Sequence, residues 1–215
     1  MEELTIYGCE KLACSFPRAP KLHQLYVIGD SCPDKEEGNI VILETQLANS
    51  ALECLTHIQA PQPLQHKSLT ELKVFCCDSL TLFPLGALPN LKTLKITYCP
   101  EMDSFGEDCL PPSLTTLEIS GCEKLERLIT SKGLQAQGLS LTHLILQHGN
   151  EVKKSFPREG FLPASLQSLK LVGFRNLETL DCDGLHHLTS LKQLSIEFGL
   201  KLEEMNDPRV DQFKI

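Results

Sequence analysis

Apolar residues recur in a fixed cadence: Leu69, Leu72, Val74 and Cys77, then Leu91, Leu94, Ile96 and Cys99, then Leu114, Leu117, Ile119 and Cys122. The cadence continues through Leu141, Leu144, Leu146 and Gly149, through Leu166, Leu169, Leu171 and Phe174, and through Leu191, Leu194, Ile196 and Gly199. The leading leucines from Leu69 onward lie 22, 23, 27, 25 and 25 residues apart. Within each frame the second and third apolar positions alternate with polar ones, as in Glu71-Leu72-Lys73-Val74-Phe75. Period 2 over so short a run predicts a strand with Leu72 and Val74 on one face and Glu71, Lys73 and Phe75 on the other. A second apolar pair follows each fourth slot: Leu80 and Phe83, Met102 and Phe105, Leu125 and Leu128, Val152 and Phe156, Leu177 and Leu180, Leu202 and Met205. These pairs close the core from the far side. Proline-bearing turns such as Leu110-Pro111-Pro112-Ser113 and Leu162-Pro163-Ala164-Ser165 then lead into the next frame, and proline there disfavours continued helix.

Such a period and cadence define the leucine-rich repeat, whose units run roughly 20–29 residues. The predicted fold is an α/β solenoid, a leucine-rich repeat horseshoe with a parallel concave β-sheet and an irregular convex side. Weaker frames lie upstream at Leu4, Ile6 and Cys9, at Leu22, Leu25 and Val27, and, degraded, at Leu52 and Leu55, so the count is about nine repeats in a single domain spanning 1–215. Strands spaced as in any sheet would make a stack roughly 40 Å long. Two stretches depart from the rule. Residues 29–66 are irregular, with leading leucines 30 and then 17 residues apart, and residues 129–140 read as a polar convex or edge loop. The tail 206–215 is polar. The first frame opens at Met1 with no polar cap before it, which solenoids need, so the chain is expected to be the tail of a larger protein, or something else is expected to cover that end.

On this pattern the outward strand positions form the recognition surface. They are Tyr7, Tyr26, Glu71, Lys73, Phe75, Thr93, Lys95, Thr97, Thr116, Glu118, Ser120, His143, Ile145, Gln147, Ser168, Lys170, Val172, Gln193, Ser195 and Glu197. Their charges nearly cancel, and the aromatic and aliphatic members are of the kind that anchor protein interfaces.

Composition narrows the partner. The chain of 215 residues carries a formal charge of −8, which disfavours phosphate neutralisation and hence nucleic acid. No run of about 18 apolar residues could span a bilayer, and no basic n-region precedes an apolar stretch. Ten cysteines in so long a chain fall short of a disulfide scaffold, and no Asn-x-Ser/Thr sequon occurs, so a reducing cytoplasmic setting is expected. Cys9, Cys77, Cys99 and Cys122 occupy fourth slots, where a small buried group with a weak donor can meet a carbonyl freed at the strand end. The repeat sets these thiols side by side rather than around a point, which argues against a metal site.

The signatures of phosphate loops, nucleophile elbows and helical zinc sites are absent, so neither catalysis nor a cofactor is expected. His186 and His187 read as a solvated turn, His148 as a turn residue without a role, and Glu36 and Glu37 as a solvated loop.

The segments Leu88–Phe105, Leu110–Leu128, Leu162–Leu180 and Leu188–Met205 share the cadence LxxLxIxxCxxLxxL, and two of them open on LP(P/A)SL. In these the chain resembles the C-terminal leucine-rich region of plant intracellular nucleotide-binding immune receptors, the NB-LRR disease-resistance proteins of coiled-coil type, over most of residues 66–205. The resemblance implies recognition of a pathogen effector or host guard protein and contact with the nucleotide-binding domain of the parent receptor. That domain and its nucleotide motifs are missing here, so nucleotide binding does not carry over. The substrate-binding array of an F-box ubiquitin ligase is the competing class, but its second cysteine, shorter repeats and F-box are not evident; a generic scaffold is the remaining reading.

Overall fold

The computed structural model describes residues 2–7, 21–29, 67–81, 85, 88–105, 110–134, 139–147 and 155–197, the side chains of 4–7 excepted. Eight five-residue strands follow one another: β1 Glu3–Tyr7, β2 Gln24–Ile28, β3 Glu71–Phe75, β4 Thr93–Thr97, β5 Thr116–Ser120, β6 His143–Gln147, β7 Ser168–Val172 and β8 Gln193–Glu197. They form one parallel sheet in sequential order. The register never slips, so Leu25, Leu72, Leu94, Leu117, Leu144, Leu169 and Leu194 lie in one row. The architecture is solenoid-like.

The repetition is enforced by backbone hydrogen bonds at the mouth of each strand. The carbonyl of His23 accepts from the N–H groups of Thr70 and Glu71, that of Thr70 from Lys92 and Thr93, and that of Lys92 from Thr115 and Thr116. Thr115, Thr142 and Gln167 repeat the pattern toward the C-terminus. Threonine hydroxyls reinforce it, with Thr70, Thr115 and Thr142 donating to the carbonyls of His23, Lys92 and Thr115.

The two turns of each coil explain the cadence. Before the strand, the N–H of Leu91, Leu114, Leu166 and Leu191 donates to the carbonyl three residues back, at Leu88, Pro111, Pro163 and Leu188. After the strand, the fourth-slot carbonyls of Cys77, Cys99 and Phe174 accept from Leu80, Met102 and Leu177. Each turn drives a leucine or methionine inward, and the inward residues of β3 to β7 are at most 1% exposed. Burial on that scale contributes about 1.5–3 kcal/mol per side chain.

Two readings of the sequence change. Residues 129–132 belong to helix α1, Glu123–Lys132, rather than to a loop. The buried pair on it is Leu125 with Ile129, spaced i, i+4, while Leu128 only packs part-buried at the margin. Gly133 closes the helix at φ 78°, its N–H donating to Ile129, and Leu134 then donates to the carbonyl of Phe161 in the next coil. His186 and His187 end a second short helix, α2, Cys182–His187, rather than a turn. Asp181 caps it by accepting from the Gly184 N–H at 3.1 Å.

β2 pairs directly with β3 along all five residues. The frame of Leu52 and Leu55, the rest of 30–66, Cys9, Glu36, Glu37, Phe83, His148, Gly149, Val152, Gly199, Leu202, Met205 and the tail 206–215 lie outside the described residues.

Candidate functional site

The outward face of the sheet carries three rows. The first runs Gln24, Glu71, Thr93, Thr116, His143, Ser168, Gln193; the second Tyr26, Lys73, Lys95, Glu118, Ile145, Lys170, Ser195; the third Ile28, Phe75, Thr97, Ser120, Gln147, Val172, Glu197. These rows hold the positions on β2 to β8 that the alternation assigns to the outward face. Most are half-buried, and His143 and Gln193 are exposed. Two third-row residues, Ser120 and Ile28, are buried, so Ser120 is not presented as its place in the alternation implies. The small hydroxyl donates at 3.2 Å to Oε1 of Gln147, which reaches across it. Tyr7 belongs to β1 opposite Ile28, but its side chain lies outside the described residues.

The charged residues on this face pair with one another. Lys73 Nζ lies 2.8 Å from Glu71, Lys95 2.9 Å from Glu118 on the neighbouring strand, and Lys170 2.8 Å from Glu197. The first pair extends into a network: Gln24, unremarked in the sequence, donates to Glu71 at 2.7 Å, while Lys73 donates to the Tyr26 hydroxyl at 3.2 Å and stands 4.7 Å from its ring centroid. Burial works to lower the Lys73 pKa, but the bonds to Glu71 and Tyr26 outweigh it and hold the ammonium above its ordinary 10.5. The network thus ties Tyr26, Lys73 and Glu71 to one another. His143 leans on its neighbour, with Nδ1 2.8 Å from the Thr142 hydroxyl. Ser168 reaches Gln193 at 3.5 Å. Thr97 Oγ1 is buried with no hydrogen-bond partner among the described residues.

At the strand ends the cysteines do what a weak buried donor should. Cys77, Cys99 and Cys122 donate to the carbonyls of Phe75, Thr97 and Ser120 at 3.3, 3.5 and 3.4 Å. The Cys99 N–H in turn donates to Cys122 Sγ at 3.4 Å. Its bond with Cys122 pulls the Cys99 thiol pKa down, but the bond to Cys77 and burial prevail and push it up to about 12. For Cys122 the bond to Cys99 and burial both push upward. Neither is a nucleophile at neutral pH. Among the described residues no group of three or more His, Cys, Asp or Glu is placed to hold a metal ion, and no helix is long and apolar enough to cross a membrane.

The structure also presents Tyr98, which counting along the strands passes over because it lies one residue beyond β4. It is 49% exposed, the one large hydrophobic so exposed among the described residues.

No protein-family model and no solved structure matches the chain. In sequence it is similar to a protein of Arabidopsis thaliana whose name assigns it to disease resistance, with 31% identity over 147 residues, covering 56% of this chain and 10% of that protein. The chain is thus related to a plant disease-resistance protein. It spans about a tenth of the length of the relative it matches.

Proposed function

We propose that this chain is a leucine-rich repeat array of horseshoe form that serves as the protein-recognition module of a cytoplasmic plant immune receptor of the NB-LRR type, without catalysis of its own. On this reading it binds a pathogen effector or a host guard protein on the outward sheet face, and the parent receptor's nucleotide-binding domain contacts the same array. The observation that carries the reading is the outward face itself. Seven strands in unbroken register display half-exposed polar groups around Tyr26, Phe75, Ile145 and Val172. Aromatic and aliphatic anchors within a polar field are the make-up of protein interfaces. The similarity to a disease-resistance protein supports the immune context.

The test is co-precipitation of the tagged chain from plant cytosol. Wild type is compared with a variant carrying Phe75→Ala, Lys95→Ala, His143→Ala and Lys170→Ala, with circular dichroism on both. A folded variant that loses a specific partner is the expected result. Retention of every partner would sink the sheet-face reading, and ubiquitin-ligase subunits among the partners would favour an F-box array instead.

A further inference from the structure

The outward charges of β3 to β8 cancel in three Lys–Glu pairs, so those strands contribute nothing to the formal charge of −8. Part of it lies on the edge where β3, β4 and β5 end. There Asp78, Glu101, Asp103 and Glu123 are all exposed, against Lys124 and Arg127, and Lys124 is engaged by Glu101 at 2.7 Å. Within this acidic edge stands Tyr98.

Its presentation is unusual. The residue after β3, β4, β5 and β7 turns the chain through the left-handed region: Cys76 at φ 52°, Tyr98 at 53°, Gly121 at 63° and Gly173 at 72°. Their N–H groups donate to the last carbonyl of the next strand, that of Tyr98 to Ser120 at 2.8 Å. A side chain there is strained, which is why glycine suits the slot. Tyr98 nevertheless occupies it, and its ring rests on Gly121, where a Cβ would come within 2.7 Å of Cδ1. The Cδ1–Cε1 edge of the ring is therefore seated and the backbone pinned, while about half of the residue stays in water. Among the described residues the Tyr98 hydroxyl has no hydrogen-bond partner and no cation lies over its ring, whereas the Tyr26 ring already holds Lys73. By the repeat alignment Asp78 and Glu123 sit one coil to either side, two residues beyond the layer of Tyr98.

We propose that Tyr98 and this acidic edge form a second docking surface, separate from the sheet face, that takes a basic protein segment. An arginine or lysine of the partner stacks on the open side of the Tyr98 ring, and the flanking carboxylates meet its neighbouring positive charges. A ring already fixed in place loses little side-chain freedom on binding, and the cation gains both the ring quadrupole and the local negative potential.

The test uses the peptide acetyl-Gly-Arg-Gly-Arg-Gly-amide and its citrulline counterpart, which keeps shape and hydrogen bonds but loses the charge. Both are titrated into the isotope-labelled chain and followed by backbone amide shifts. The expected result is saturable shifts at Tyr98, Gly121 and Met102 with the arginine peptide, weakened by salt and absent with citrulline. Tyr98→Phe keeps the affinity, and Tyr98→Leu lowers it by about threefold, the scale of an exposed cation–π contact. Equal binding of the citrulline peptide, unchanged affinity in Tyr98→Leu, or no shifts at all would overturn the proposal. Shifts confined to β3–β7 would also overturn it while leaving the sheet-face reading intact. If Tyr98→Leu fails to fold, the arginine-to-citrulline comparison on wild type decides alone.

Discussion

Glu126 is the one carboxylate buried among the described residues, 3% exposed on the inner side of α1. Its Oε1 accepts the N–H of Cys122 at 3.1 Å, so the side chain folds back onto the start of its own helix. Burial pushes its pKa up to about 7; the Cys122 N–H opposes this, Glu123 adds to it, and the Gly121 N–H opposes it again. A carboxyl raised in the folded state stabilises most where it is protonated in both states, below its ordinary 4.5, and that contribution is lost as pH rises through about 7. Thermal midpoints measured across that window should therefore fall with rising pH by more in wild type than in Glu126→Gln, and the variant should be the more stable at pH above 7. Parallel profiles would mean that the carboxylate is not desolvated. Thr97 poses the converse case. Its buried, unpartnered hydroxyl is a desolvation penalty with no return, so Thr97→Val should raise unfolding free energy by about 1 kcal/mol in a denaturant titration. A loss would show that the hydroxyl is satisfied.

At the scale of the element, the strands were legible because two periods coincide: alternation assigns the faces, and the repeat assigns the neighbours. The lead-in LP(P/A)SL has a physical reason that spacing alone does not reveal. Ser113 donates to the carbonyls of Pro89 and Leu91 at 2.7 and 2.8 Å, and Ser165 to that of Leu141 at 2.8 Å, so the serine ties each coil to the one before. Asn90 does the same for Lys67 at 2.7 Å. Helix α1 was missed because Ile129, Thr130 and Ser131 are poor helix formers, and its available cues were the acidic first turn and Gly133 as a stop. Tyr98 was missed because period 2 ends with the strand, although its alignment with Gly121 and Gly173 marks a left-handed position. Glycine is required most strictly at Gly29, where a Cβ would lie 1.7 Å from the Cys76 carbonyl oxygen. Gly29→Ala must therefore part the ends of β2 and β3 and should cost more than about 2 kcal/mol by chemical denaturation. Gly160→Ala, at φ 74° with nothing within 4 Å, should cost only the backbone strain of about 1–2 kcal/mol. Equal losses at both sites would contradict the close approach.

For the whole molecule, the decisive property is that the strands follow one another in sequence order, each of β2 to β7 paired with the strand before and the strand after it. Stability in such a stack is close to a sum of coil and interface contributions, so position along the array should govern the effect of equivalent substitutions. Ile119 on β5 is fully buried, held between Ile96 and Leu146 in the same row. Ile196 on β8 occupies the same slot but pairs only with Leu171 among the described residues, and it is half-buried. Ile119→Ala should therefore lose about 2–5 kcal/mol, as deeply buried truncations do, because it opens a cavity shared by two interfaces. Ile196→Ala loses packing on one side, into a site partly open to water, and should cost less than about half as much. Hydrogen exchange separates the two further. The amides of β4 to β6 should lose protection together in Ile119→Ala, whereas in Ile196→Ala the loss should be confined to β8 and its bonds to β7. Should both variants unfold the entire sheet with equal loss of stability, the array behaves as one closed globular core rather than as a stack. The sheet face would then transmit strain along its length, instead of holding each part of the proposed recognition surface independently.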